Sequence, residues 1–394
     1  MAVLVQKYGG SSVADVQKIG AVADRVVHAR KQGDDVVVVV SAMGKTTDQL
    51  LELAKSVAPG FDPPRRELDM LLTTGERVSM ALLSIAIAAR GMEAISFTGS
   101  QSGIITNDRH FDARIIEIRP HRIEDELARG KIVIIAGYQG MSYKREITTL
   151  GRGGSDTTAV ALAAALGAER CEIYSDVDGV YTGDPKVVGA PKHLPTIDLD
   201  TLKELAEAGA KVLNAQAVEW ARRAKIAIHA RKTADAPGTG KETVARRRAE
   251  GDPASVRAVA GMDKVVLVRA KDAEALAAAA AGAGVPLVDV VATPDGARAA
   301  VPLLNVPDWE QRRAALEGAL GKGALEAGKA VVSVVGDELL ASGRAMPDFL
   351  AALERAGASR AALVCGPLRI GAVIDAEHLA PAQRALHEAF VENV

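Results

Sequence analysis

The segment Asp35-Val36-Val37-Val38-Val39-Val40 constrains the fold more than any other. Five consecutive β-branched residues without polar alternation leave no face for water, so they predict a central strand of a parallel sheet covered on both sides. Residues 1 to about 232 alternate further β-rich runs with helical segments, which predicts an α/β fold, a three-layer αβα domain with a mainly parallel sheet. Strands are expected at 3–6, 93–97, 131–136, 172–175 and 225–229, and helices at 76–90, 156–166 and 199–209. Another helix follows the first strand, its apolar residues Val13, Val16, Ile19, Val22, Ala23 and Val26 recurring at spacings of three and four.

The pattern changes after Thr233. Pro237, Gly238, Gly240, Gly251, Pro253 and the run Arg246-Arg247-Arg248 place a linker at 241–256, between a first domain at 1–240 and a second region at 257–394. In that region the order strand, helix, strand, strand, helix occurs twice, at about 257–325 and 326–394. A pair of ferredoxin-like βαββα units is expected.

Composition removes several function classes. At 394 residues the chain has length for two or three domains, and 48 Lys+Arg against 50 Asp+Glu give a net charge of −2, so no general basic field gathers nucleic acid or anionic membrane. Cys171 and Cys365 are far apart and form no disulfide framework, which points to a reduced, cytoplasmic protein. The longest apolar runs are strand-sized and the N-terminus has no signal-type sequence, so neither export nor a membrane span is expected. The histidines show no zinc-type spacing, and no protein-held metal is expected.

Five segments carry candidate chemistry. In Lys7-Tyr8-Gly9-Gly10-Ser11-Ser12, between a strand and a helix, glycine amides and the Lys7 ammonium suit a phosphate, although a tight turn with Ser12 as helix cap accounts for the same residues. Ser41 to Asp48, after the valine strand, shares that ambiguity. Glu76 in Thr73-Thr74-Gly75-Glu76-Arg77 reads either as a first-turn acid complementing a helix dipole or as a partner for a substrate ammonium. Leu150-Gly151-Arg152-Gly153-Gly154-Ser155-Asp156 is the most specific, since a plain capping loop needs neither the arginine nor three glycines. In Ser175 to Lys186, Tyr181 suits a purine ring and Lys186, with Lys211, suits phosphates; solvated surface charge is the competing reading for both lysines.

Taken in order, KYGGSS, VVSAMGKTTDQL, LLTTGERVS, FTGSQSGIIT, TLGRGGSDTTAVALAAALGA and EIYSDVDGVYTGDPK resemble the aspartokinases of the amino acid kinase superfamily, from residue 2 to about 232. The tail resembles paired ACT domains, most clearly in VVSVVGDE and RALHEAF. The resemblance implies transfer of the γ-phosphoryl group of Mg-ATP to the side-chain carboxylate of L-aspartate, the first step toward lysine, threonine and methionine. It implies that Lys7, Tyr8, Gly9, Gly10 and Ser41 hold the triphosphate, with Lys7 and Asp156 catalytic. Thr47, Glu76, Arg152, Gly153, Ser155 and Asp156 would hold aspartate, and Ser175, Asp176, Tyr181, Lys186 and Lys211 would line the nucleotide side. ATP and Mg2+ are the implied cofactors, and a homodimer through the ACT-like region the implied assembly. The alternatives are a non-catalytic regulatory or binding subunit and a kinase for another acidic amino acid.

The chain departs from the family pattern in places. Lys186 stands where arginine is usual, and Lys211-Val212-Leu213-Asn214 replaces the commoner His-Pro-Arg after the lysine. Val266 to Ala273 lacks the Pro-Gly loop that opens the first ACT helix, and Val364-Cys365-Gly366-Pro367-Leu368 replaces a Ser-Thr-Ser-rich strand. The expectation is a tail that mainly dimerises, with altered feedback by lysine or threonine.

Overall fold

A computed structural model describes residues 2–210, 213–248, 257–337, 339–341 and 343–393. The chain forms two compact units, Met1–Val180 with Pro195–Leu199 and Val212–Ala249, and Tyr181–Leu194 with Asp200–Lys211 and Glu250–Val394. Two segments expected inside the first 240 residues, 181–194 and 200–211, thus cluster with the C-terminal residues.

The first unit is built on an eight-stranded sheet. From one edge its strands are Thr196–Asp198, Glu242–Arg246, Ala227–Lys232, Arg170–Ser175, Val3–Tyr8, Asp35–Val40, Ile132–Ala136 and Ala94–Phe97. All pairs are parallel except Ala227–Lys232 with Glu242–Arg246. Asp35–Val40 pairs on both sides, and all five of its valines are fully buried. The expected linker differs from the observed chain: its first part is the strand Glu242–Arg246, while 249–256 lie outside the described residues. A second, four-stranded sheet of this unit orders Ile115–Ile118, Ile104–Thr106, Gln139–Ser142 and Ile147–Thr149.

Two helix starts differ from expectation. After the first strand the chain makes a 3-10 turn, Gly10–Val13, and the α-helix is Val16–Lys31, capped by Asp15 accepting from Lys18 N at 2.8 Å; Ser12 is not the cap, its hydroxyl lying 2.6 Å from that of Thr233. The helix expected from Glu76 runs from Arg65 to Ala88, so Glu76 sits mid-helix and not in a first turn. Thr73 and Thr74 do not break it, because their hydroxyls donate back to Met70 O (3.1 Å) and Leu71 O (2.7 Å). Gly75 is required for contact, since a Cβ there would come within 2.8 Å of the Ala42 methyl. By length and composition this helix could cross a bilayer. In this structure one face of it is buried, with Asp69, Thr73, Glu76 and Ser79 among its buried residues.

The second unit carries a six-stranded sheet ordered Val288–Thr293, Gly296–Pro302, Arg257–Ala270, Leu325–Gly336, Arg369–Asp375 and Arg360–Cys365, antiparallel throughout. With helices Ala273–Ala283, Trp309–Leu320, Ala345–Arg355 and Leu379–His387 it gives the βαββα order twice, as expected. The two repeats share one sheet because Arg257–Ala270 and Leu325–Gly336 are long strands that pair with each other. Val259 on the first of these strands joins the core that holds Phe349 and Leu386, whereas Val268 joins the core that holds Leu276 and Leu316.

Candidate active site

Lys7, Ser41 and Ser175 stand at the carboxyl ends of three neighbouring parallel strands, the usual place for sites in such sheets. Alternation along Val3–Tyr8 points Lys7 to one face and Gln6 and Tyr8 to the other. Lys7 Nζ lies 2.7 Å from Asp156 Oδ1, and both residues are buried. Asp156 is held there because Gly153, in the left-handed region at φ 76°, starts the helix Gly154–Ala165, whose first ten residues are all buried. Beside Lys7 the glycine loop is tightly placed. A Cβ on Gly9 would sit 3.5 Å from Lys7 Nζ, and one on Gly10 would press to 2.9 Å on Ala42 O. Gly44 N donates to Gly10 O at 3.0 Å and Ser41 N to Tyr8 O at 3.1 Å, so the 9–12 and 41–45 segments are joined. The Tyr8 side chain is not part of this cradle. It is fully buried, stacked on Tyr174 at 4.9 Å and donating to Gln6 Oε1, and only the Tyr8 backbone faces the glycine loop.

Glu76 closes on the same loops from the long helix. Its Oε1 accepts from Ala42 N at 3.1 Å, while Oε2 is buried and has no hydrogen-bond partner among the described residues. Burial pushes its carboxyl up to about 7, against the backbone donors that pull it down. Ser155 is buried against Gly137, where a Cβ would meet the Ser155 hydroxyl at 2.8 Å. Thr47 is in the first turn of Thr46–Val57. Next to it, Asp48 pairs with Arg152 at 3.1 Å, and both side chains are more than half exposed.

The remaining candidates are placed differently. Ser175 ends its strand with the hydroxyl 3.2 Å from Val177 N, and Asp176 is exposed. Tyr181 and Lys186 fall in the second unit, Tyr181 packing edge-on against His193 at 5.3 Å and Lys186 N donating to Asp184 Oδ1. Lys211 lies outside the described residues. Sequence reasoning overlooked Asn214, whose amide donates to Arg152 O at 2.8 Å and whose oxygen accepts from Gln216 N. An asparagine opening a helical run is a capping signal that could have found it. It also passed over Asp69, Thr149 and Tyr138, which surround the Arg152 loop.

A family model for the amino acid kinase family matches residues 2–231. An aspartokinase of Mycolicibacterium smegmatis is 42% identical across 99% of this chain and 96% of its own length, and one of Thermus thermophilus is 42% identical across 99% of both. Escherichia coli aspartokinase III, solved with aspartate and ADP, shares the fold at a TM-score of 0.87 and 24% identity, covering 98% of this chain and 99% of its own. The chain belongs to the amino acid kinase family. Its full-length relatives are aspartokinases.

Proposed function

We propose that the protein is an ATP-dependent aspartate kinase, an enzyme that transfers the γ-phosphoryl group of ATP to the side-chain carboxylate of L-aspartate and releases 4-phospho-L-aspartate. Aspartokinase relatives along the whole chain support the activity. The observation carrying the mechanism is a buried lysine at the glycine loop, anchored by Asp156, together with a buried glutamate of the long helix that meets the adjoining 41–45 loop through one oxygen only.

Lys7 neutralises charge on the oxygens of the transferring group, and Asp156 fixes its ammonium in place beforehand, so little reorganisation is needed during reaction. Gly9 and Gly10 let backbone amides approach the triphosphate, with Ser41 at the joined loop. Glu76 receives the substrate ammonium on its unpartnered oxygen. Arg152 exchanges the Asp48 carboxylate for a substrate carboxylate, an exchange that costs little because the existing pair is exposed. Gly153, Ser155 and Thr47 shape the same pocket wall. The attacking carboxylate has a pKa of about 3.9 and is already ionised at neutral pH, so the mechanism needs positioning and no general base. Ser175 and Asp176, and from sequence Tyr181, Lys186 and Lys211, are assigned to the nucleotide side.

Among the described residues no group of three His, Cys, Asp or Glu suits a metal ion. Mg2+ would accompany the triphosphate, where it would supply charge neutralisation. The same reading makes the protein a cytoplasmic homodimer joined through the ACT-like unit, at the start of lysine, threonine and methionine synthesis. Hydroxylamine trapping tests the reaction, because it captures an acyl phosphate as a hydroxamate. Signal with ATP, Mg2+ and L-aspartate, absent with L-glutamate, is the expected result. No signal from folded protein would favour a binding subunit, and signal with glutamate a kinase of another acidic amino acid.

A further inference from the structure

Asp69 is fully buried on the helix Arg65–Ala88, two turns before Glu76 on the same buried face. Its carboxylate accepts from Phe111 N at 3.1 Å and from the Thr149 hydroxyl at 2.5 Å, and its other oxygen lies 2.6 Å from His110 Nδ1. Its helix neighbour Leu68 and its partner Phe111 belong to an apolar cluster with Leu72 and Tyr138. A buried carboxylate in such a place is a poor source of stability, since an apolar side chain of similar volume usually serves better. What the carboxylate does provide is geometry. It ties three separate segments together: the helix of Glu76, the 107–113 loop and the strand Ile147–Thr149 that runs straight into Gly151-Arg152-Gly153.

The surrounding backbone indicates how firmly that geometry is held. Phe111 and Tyr138 both adopt the left-handed region, at φ 70° and 69°, which non-glycine residues occupy only when their neighbours require it. Thr149 O accepts from Ala113 N at 2.9 Å, and Leu150 N donates to Tyr138 O at 2.9 Å, so the chain is fastened on both sides of the Thr149 hydroxyl. Tyr138 in turn packs on the start of the Asp156 helix, where a Cβ on Gly154 would come within 3.1 Å of its ring.

We propose that Asp69 is the positioning residue of the aspartate-binding half of the site: through Thr149, Phe111 and His110 it sets the Arg152 loop at its working distance from Glu76. The inference rests on the aspartate kinase reading above, and it predicts an effect on one substrate only. The test uses full-length protein and two readouts, the rise in unfolding temperature with added L-aspartate alone, and KM for each substrate. The variants are Asp69→Asn, Thr149→Val and Thr149→Ser. Thr149→Ser keeps the hydroxyl and matches the unaltered protein. Thr149→Val and Asp69→Asn need about tenfold more aspartate for the same temperature shift and show a matching rise in its KM, with KM for ATP within about twofold. If Asp69→Asn does not fold, the two Thr149 variants decide the matter. Aspartate affinity unchanged in Thr149→Val, or lost in step with that for ATP, overturns the inference while leaving the activity standing. Folded, unaltered protein that fails to respond to aspartate overturns the kinase reading, and this inference with it.

Discussion

The two sides of the site differ in how their charges are satisfied. Lys7 already has its counter-ion at 2.7 Å, whereas Glu76, also buried, has one oxygen bonded to Ala42 N and the other to no described residue. A charge fixed before reaction stabilises a transition state without reorganising. An unpartnered buried carboxylate does the opposite: it costs stability in the free protein and regains it when a cation arrives. On the proposed reading the phosphate side is thus preformed, and the ammonium side is left open for a ligand.

That contrast can be broken most severely at Lys7. Lys7→Ala is expected to lower kcat by about a thousandfold. It also strands the Asp156 carboxylate, so the unfolding temperature falls as well. Next in size is Glu76→Gln, which should raise KM for aspartate by about a hundredfold, the scale of losing one partner of a buried charge pair. The same variant sharpens the comparison through pH. The folded carboxyl, at about 7, lies above its ordinary value of 4.5, so the folded protein holds an extra proton in that window and loses stability as pH rises through it. Glu76→Gln should therefore be more stable than the unaltered protein at pH 8, by up to about 3 kcal/mol on denaturant unfolding. In unaltered protein, KM for aspartate should fall as pH rises through about 7 and then level off, since the ammonium needs the ionised form. The smallest effect is expected at exposed Arg152, where Arg152→Lys keeps the charge and loses the planar fork. KM for aspartate should rise about tenfold, with kcat little altered.

How much of this was legible in the sequence depended on whether the signal was local. The strand Asp35–Val40 was readable to the residue because its valines carry their own burial pattern. The paired βαββα order was readable too, but not the continuous sheet, since pairing of Arg257–Ala270 with Leu325–Gly336 is a long-range fact. The Thr-Thr-Gly before Glu76 looked like a boundary because those residues disfavour helices in isolation, and back-bonding hydroxyls overrode that preference. In the candidate site, motifs gave candidate residues but not their partners. Nothing in the sequence joins Lys7 to Asp156 or Arg152 to Asp48, and Tyr8 within KYGGSS turned out to be a core ring. Asp69 was silent altogether, an ordinary acid in a charged stretch until the fold buried it.

Calorimetric titration of L-aspartate into Lys7→Ala protein tests the division of labour most directly. If Lys7 serves phosphoryl transfer and Glu76 the ammonium, aspartate affinity at pH 8 stays within about threefold of the unaltered protein while turnover is lost. Affinity that falls in step with turnover would contradict the account, because the two charges would then serve the same ligand group.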